Sequence, residues 1–190
     1  MTTYTYKDAG FTGLEAAIVL IAFVVVAAVF SYVVLGAGFF TTQKSQEVVH
    51  TGVAQASSTL QIAGDVYGTG TTSNVNAINF SIQLAPGGTA IDVSKMVVTY
   101  STGTGVETLR RDTTRLHGAT IGTWSVVSEQ NPVVSDWLLE KGETFGIMCY
   151  PTVSPGPNTQ INIEVKPIVG TALDIKRTTP AGLQVVNILY

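Results

Sequence analysis

FTGLEAAIVLIAFVVVAAVFSYVVLGAGFFTTQ, residues 11–43, is the stretch on which the reading of this chain turns. Glu15 is its single charge, and none follows until Lys44. Most of the stretch is Ala, Ile, Val, Leu and Phe. About 20 helical residues, each rising roughly 1.5 Å, cross a bilayer core, and this run is longer. The β-branched residues from Ile18 to Val26 also suit a strand, but no ordinary strand is this long. The spacing therefore predicts a helix that starts near Thr12. Thr12 and Glu15 stand at the interval of a capping box. Gly36 and Gly38 each weaken such a helix by roughly 1 kcal/mol against Ala. In lipid or in a bundle, the same small residues let neighbouring backbones approach.

On the N-terminal side lies a polar leader, residues 1–10. A secretory signal places its small-residue cleavage site after the apolar stretch. Here Ala9-Gly10 comes before it, so cleavage there leaves the apolar segment on a mature protein that starts at Phe11. The alternative is an uncleaved signal anchor.

On the C-terminal side, Lys44, Gln46 and Glu47 interleave with Val48, Val49, Val53, Leu60 and Ile62, with Ala54, Ala56 and Ala63 as small packing residues. This reads as an amphipathic continuation of the helix, closed by Gly64 and Gly68. The expected helix covers residues 11–66, about 80 Å at 1.5 Å per residue. Nothing else in the chain can cover so long an element, so it needs lipid or other copies of itself. Residues 67–74, rich in Gly, Thr and Ser, read as a linker.

Residues 75–190 alternate strand-like runs with turns. Strands are expected at 77–84, 96–100, 106–110, 123–127, 144–150, 160–165, 173–176 and 183–188. Pro86-Gly87-Gly88, Gly103-Thr104-Gly105, Asn131-Pro132, Lys141-Gly142, Pro155-Gly156-Pro157 and Thr179-Pro180 punctuate them. Short strands at this spacing indicate an all-β sandwich, and no 3.6-residue period after Gly68 supports a parallel α/β domain. The expected fold is α+β: a long N-terminal hydrophobic helix followed by an immunoglobulin-like β-sandwich.

Charged residues make up 12% of the chain, against about 25% in a typical globular protein. The net charge of −3 and the lack of a basic track exclude nucleic acid as a partner. One cysteine, Cys149, permits no intrachain disulfide. It lies in a buried-strand context and reads as a small core residue. His50 and His117 lack the flanking ligands of a zinc site. Gly103-Thr104-Gly105 is a hairpin loop without the strand–turn–helix setting of a phosphate site. Arg110, Arg111 and Arg115, among Glu107 and Asp112, read as a solvated, salt-bridged face. No catalytic, cofactor-binding or metal-binding set converges, so no enzyme is expected. Asn79-Phe80-Ser81 is an N-glycosylation sequon, which makes Asn79 a candidate acceptor provided it sits on an exposed face. Glu15 carries the functional reading. A carboxylate at the edge of an apolar segment needs a positive partner when buried. The ammonium of a processed Phe11, on the same helix or on a staggered neighbour, supplies one. A plain helix-start role in the dipole, worth ~0.3–1 kcal/mol, is compatible with it.

These residues carry a family resemblance. Gly10 followed by Phe11-Thr12-Gly13-Leu14-Glu15-Ala16-Ala17-Ile18-Val19-Leu20-Ile21-Ala22-Phe23 resembles the start of an archaeal flagellin, or archaellin. Phe80-Ser81-Ile82-Gln83-Leu84-Ala85-Pro86-Gly87-Gly88 with Ile91-Asp92 resembles the early sandwich of that family. Leu138-Leu139-Glu140-Lys141-Gly142-Glu143-Thr144-Phe145 resembles its later Gly-Glu turn, and Asp174-Ile175-Lys176-Arg177-Thr178-Thr179-Pro180-Ala181-Gly182 its last segment. The family's leaders commonly carry basic residues before the glycine; here Lys7 is the only one. The resemblance implies a type IV pilin-like N-terminus, cut by a prepilin-type peptidase between Gly10 and Phe11. It implies no cofactor, and a structural subunit of the rotating archaellum filament outside the cell, with its precursor in the cytoplasmic membrane. Its partners would be copies of itself and related archaellins. An adhesive type IV-like pilin is the alternative within this class. A membrane-anchored β-domain enzyme or binding protein is the alternative from another class.

Overall fold

The computed structural model describes residues 13–132 and 134–190. The expectations for the leader, for Gly10 and Phe11, and for the Thr12 cap lie outside them. The chain divides into two units, Met1–His50 and Thr51–Tyr190.

The first helix, α1, runs over Gly13–Ser57, which is 45 residues or about 68 Å at 1.5 Å per residue. It is apolar around its whole circumference through the uncharged block. An ideal Cβ placed on Gly36 or Gly38 meets no atom within 4 Å. Just beyond, the Thr41 hydroxyl donates to the Ala37 carbonyl at 2.8 Å and the Thr42 hydroxyl to the Gly38 carbonyl at 2.9 Å. Such back-bonding lets a hydroxyl lie in an apolar helix with its donor satisfied. Lys44 and Glu47, one turn apart, form an exposed ion pair at 2.6 Å.

The helix ends at Ser57, short of the expected close at residues 64–68. The Ser58 amide and hydroxyl both donate to the Ala54 carbonyl, at 3.0 and 2.7 Å, and finish the last turn. The chain is then taken up by the sandwich. Strand β1 (Leu60–Ile62) pairs antiparallel with β3 (Val75–Leu84), Leu60 opposite Leu84 and Ile62 opposite Ile82. The same Leu and Ile that fit a helical period fit a ladder, and tertiary pairing overrides propensity.

The expected linker is also a strand, β2 (Tyr67–Gly70), paired with β3. Its glycines reflect contact. A Cβ on Gly68 would lie 2.7 Å from a Val75 methyl, and one on Gly70 would lie 2.2 Å from the Asn74 carbonyl oxygen.

The remaining strands follow the turn punctuation. They are β4 (Ile91–Asp92), β5 (Val97–Thr102), β6 (Gly105–Arg111), β7 (Thr123–Gln130), β8 (Leu138–Leu139), β9 (Thr144–Tyr150), β10 (Gln160–Lys166), β11 (Leu173–Thr178) and β12 (Val186–Ile188). The last begins later than expected. The Asn187 side chain accepts from the Gln184 amide and donates to its carbonyl, which folds that segment into a turn. A short β4–β8 pair stands apart from the main sheet.

The main sheet runs β11-β10-β5-β6-β7-β9-β3-β2-β12, with β1 also on β3. All its pairings are antiparallel except β6–β7, which is parallel over Arg110–Thr123 and Arg111–Trp124. That junction turns one half of the sheet over the other. Val98, Tyr100, Ile161, Ile163, Val165 and Ile175 from the first half share one core with Ile78, Phe80, Trp124, Phe145, Ile147 and Leu189 from the second. Along β5 and β10 every second residue points inward, as a two-layer β core requires, whereas β7 and β9 each bury three residues in succession.

Candidate assembly surfaces

The apolar helix is the most exposed hydrophobic element of the protein. Every described residue through His50 is exposed, and Tyr32 is 80% accessible. It is the one helix among the described residues long and apolar enough to span a membrane. A helix that is hydrophobic all round is stable only when buried in lipid or in other protein. Each large apolar side chain left in water forgoes roughly 1.5–3 kcal/mol, so the exposed state is not one this helix can occupy in solution.

Glu15 lies in the first turn of α1, where the helix dipole favours a negative charge. Of the sequence-predicted site residues it alone falls on the described helix; Gly10 and Phe11 lie outside the described residues. Asn79 is placed in the middle of β3, between β2 and β9, and is half-buried. Its amide nitrogen donates to the Thr69 hydroxyl at 3.4 Å. This is a sheet position and not the exposed loop that a sequon acceptor ordinarily occupies.

The residues set aside as chemically inert occupy ordinary places. Cys149 is fully buried, and burial pushes its thiol far above the usual thiol range. His50 is on the helix, and His117 is in the loop before β7. Among the described residues no group of three His, Cys, Asp or Glu is arranged to hold a metal ion. Gly103 and Thr104 form the two-residue turn of the β5–β6 hairpin, with Thr102 opposite Gly105.

The arginine cluster departs from the sequence reading. Arg115 is not on a solvated face with Glu107 and Asp112. Its guanidinium pairs with Glu129, at side-chain exposures of 14% and 5%, and also donates to the Asp136 carbonyl and the Ser135 hydroxyl. Ser135 in turn donates to the other Glu129 oxygen at 3.1 Å. Arg111 lies over the Trp137 ring, 4.7 Å from its centroid. Glu107 accepts instead from the Thr152 amide at 2.9 Å and from its hydroxyl. No local sequence signal joins Arg115 to a carboxylate on β7 and an indole beyond it.

A second surface was not legible at all. Tyr67, on β2, stands directly opposite Ile188 on β12, and Val186 stands opposite Thr69. All four face away from the core, because Gly68, Asn187 and Leu189 take the inward positions. The outward face of these strands is apolar and open.

Comparison with known proteins places this architecture. The family model described as archaeal-type flagellin matches residues 10–177. Probable flagellin 1 of Archaeoglobus fulgidus is 41% identical over 194 residues, spanning 96% of each chain. Probable flagellin 2 of the same organism is 40% identical over 190 residues, spanning 91% of this chain and 90% of that one. Among solved structures, the archaeal flagellum of Methanospirillum hungatei superposes with a TM-score of 0.72 at 34% identity, covering 95% of this chain and 100% of that one.

Proposed function

The chain belongs to the archaeal-type flagellin family, and from that premise we propose how its helix serves as the polymerisation element of an archaeal flagellum filament. The chain is a structural subunit of that filament, which lies at the outside of the cell. The observation that carries this function is the apolar helix α1, exposed on every side over its described length to His50. A filament core of identical helices gives such a surface the burial it needs. An adhesive pilus is not favoured, because the family match continues through the sandwich to residue 177.

The finer steps follow from physical chemistry. The precursor waits in the cytoplasmic membrane with residues 16–35 across the hydrocarbon, since about 20 residues span it. A prepilin-type peptidase cuts between Gly10 and Phe11 and creates an ammonium at Phe11. Lipid tails are as apolar as leucine, so leaving the bilayer for the filament gains little from the hydrophobic effect. Close helix packing at Gly36, Gly38 and the alanines, together with pairing of the Phe11 ammonium with Glu15, decides the transfer. Related flagellins can join the same filament through the same helix surface.

Mass spectrometry of sheared surface filaments tests this. The expected N-terminal peptide of this chain begins at Phe11. A filament subunit that retains Met1 refutes the processing step, and filaments that contain none of this chain refute the function.

A further inference from the structure

β10 runs from Gln160 to Lys166, and the segment after it meets the chain leaving α1, where the Thr171 amide donates to the Ser58 carbonyl at 3.3 Å. The Gln160 end of the strand is therefore remote from the last turn of α1. Around it, residues 99–106 and 150–163 contain no Asp, Glu, Lys or Arg. Two hollows, of ≈ 420 Å³ and ≈ 310 Å³, open here side by side. They share Thr102, Gly103 and Gln160 and so form one elongated groove. Thr104, Ser154 and Asn158 border its first part, and Ser101, Asn162 and Lys176 its second.

The groove is built before any ligand arrives. Its loop, between β9 and β10, is pinned along its length. The Thr152 amide donates to Glu107 at 2.9 Å, the Val75 amide to the Pro155 carbonyl at 3.0 Å, and the Thr179 hydroxyl to the Gly156 carbonyl at 2.6 Å. A site fixed in this way loses little ordering entropy on binding. Three amide side chains are left over. Those of Asn158, Gln160 and Asn162 form no hydrogen bond with any described residue, and Asn162 Oδ1 is covered without a partner. Gln160 and Asn162 alternate with buried Ile161 and Ile163, so both stand on the outward face of β10, about 6.6 Å apart at roughly 3.3 Å per residue. Buried polar atoms are rarely left unserved, and an orphaned one calls for an explanation.

We propose that this groove binds a neutral glycan chain. Each amide offers donors and an acceptor, and each threonine or serine hydroxyl offers both, which matches the paired hydroxyls of a sugar. Lys176 is the one charge at the border, so an anionic ligand or a nucleic acid finds too little to hold it. Both edges of β10 are paired, with β5 and β11, which excludes a peptide added as a further strand. No basic cluster accompanies the groove as a membrane surface requires. No aromatic ring borders it either, so a single site has no stacking platform and binds weakly. Many copies in one filament convert weak sites into firm retention; that gain, unlike the site, rests on the filament reading above.

Retention on beads of mannan, galactan, amylose and chitin tests the groove. The full-length chain is applied as filaments and as subunits dissociated in a detergent without a sugar headgroup. At least one polymer is expected to hold the filaments, at least ~10-fold more firmly than the subunits. Gln160→Ala is expected to lower retention at least tenfold. So is Asn158→Gly, which keeps the φ of +50° without strain. Gln130→Ala, exposed on β7, leaves retention unchanged. Retention on none of the polymers overturns the site, as does retention that both groove variants leave intact. Retention abolished by high salt marks a charge contact and also overturns the neutral ligand. Binding that appears only after sugars attached to the filament are removed enzymatically assigns the groove to the filament's own glycan, and binding by untreated filaments assigns it to a foreign one. Filaments that contain this chain and hold no polymer overturn the site alone. Filaments that lack the chain overturn the filament reading, and the subunit assay then decides the site.

Discussion

Thr178 and Tyr190 exchange both backbone hydrogen bonds, the Thr178 amide donating to the Tyr190 carbonyl at 2.6 Å and the Tyr190 amide to the Thr178 carbonyl at 3.2 Å. Thr178 ends β11 and Tyr190 lies two residues past β12, so the pair joins the two terminal strands of the sheet. The parallel β6–β7 junction joins the halves on the other side. The sandwich is thus tied at both margins, and its edge amides near Tyr190 are not free to pair with another chain.

Thr178→Pro removes one donor of this pair and leaves the Tyr190 carbonyl unserved. The expected loss is about 1–3 kcal/mol, the usual consequence of a broken ladder bond with an orphaned acceptor. Thermal unfolding of the full chain in detergent, followed by circular dichroism, measures it. An unchanged midpoint shows that the closure is incidental.

Glu15→Ala and Glu15→Gln should both leave the sandwich folded and both reduce filament assembly. The Gln variant keeps the shape and removes the charge, so its failure identifies the charge as the need. Electron microscopy of cells carrying each variant reads the outcome; abundant normal filaments from Glu15→Gln would remove the ion pair from the account.

Arg115→Ala strips the guanidinium from a carboxylate that is 5% exposed. Breaking a buried pair from one side costs about 3–5 kcal/mol, and partial solvent access at Arg115 places the expected loss near the lower end. Arg115→Lys should recover only part of it, because one ammonium cannot serve Glu129, Ser135 and the Asp136 carbonyl with the geometry of a guanidinium. Urea denaturation midpoints of the three proteins rank the effect.

Gly170 has φ +106°, and a Cβ there would lie 1.7 Å from the Ser58 carbonyl oxygen. That oxygen also accepts from the Thr171 amide at 3.3 Å. Gly170→Ala must therefore move the segment that follows α1, and a loss of several kcal/mol is expected, beyond the ~1 kcal/mol typical of a point substitution. Heightened proteolysis after residue 57 reads the opening directly.

The Ser94 hydroxyl, with help from Lys95 and the Ser94 amide, holds the Asp92 carboxyl below its ordinary range. A folded-state value below the unfolded one means that the ionised form stabilises the fold. That contribution is complete above the ordinary carboxylate value near ~4 and fades as pH falls through the lower folded value. Asp92 also caps the short 3-10 turn Val93–Lys95. Asp92→Ala should cost about 1 kcal/mol at neutral pH, and the difference from the parent protein should shrink in strong acid. Denaturation midpoints measured at neutral pH and near pH ~2 check both parts.

Much of the fold was legible because each signal was local. The uncharged run fixed α1, and Gly, Pro and Asn punctuation located β3, β5, β6, β7, β9, β10 and β11 to within a few residues, while the two-residue strands β4 and β8 were too short to leave a pattern. The errors share a cause. Leu60 and Ile62 suit a helix or a strand equally, and only the presence of β3 residues 82–84 beside them chose the strand. The glycines at 68 and 70 looked flexible, yet they mark places where backbone and side chains approach too closely for a Cβ.

Sequence by itself determined what this protein must do with its helix. No arrangement of the remaining residues could satisfy an apolar stretch of that length, so burial in lipid or among other helices was dictated by hydrophobicity alone. Tertiary structure decided the outer domain's relationships. It brought Glu129, Ser135 and Trp137 to Arg115 and Arg111, it joined Thr178 to Tyr190, and it gathered Tyr67, Val186 and Ile188 onto one uncharged face. Those residues are distant along the chain, and only the pairing of strands in space gives them a common surface.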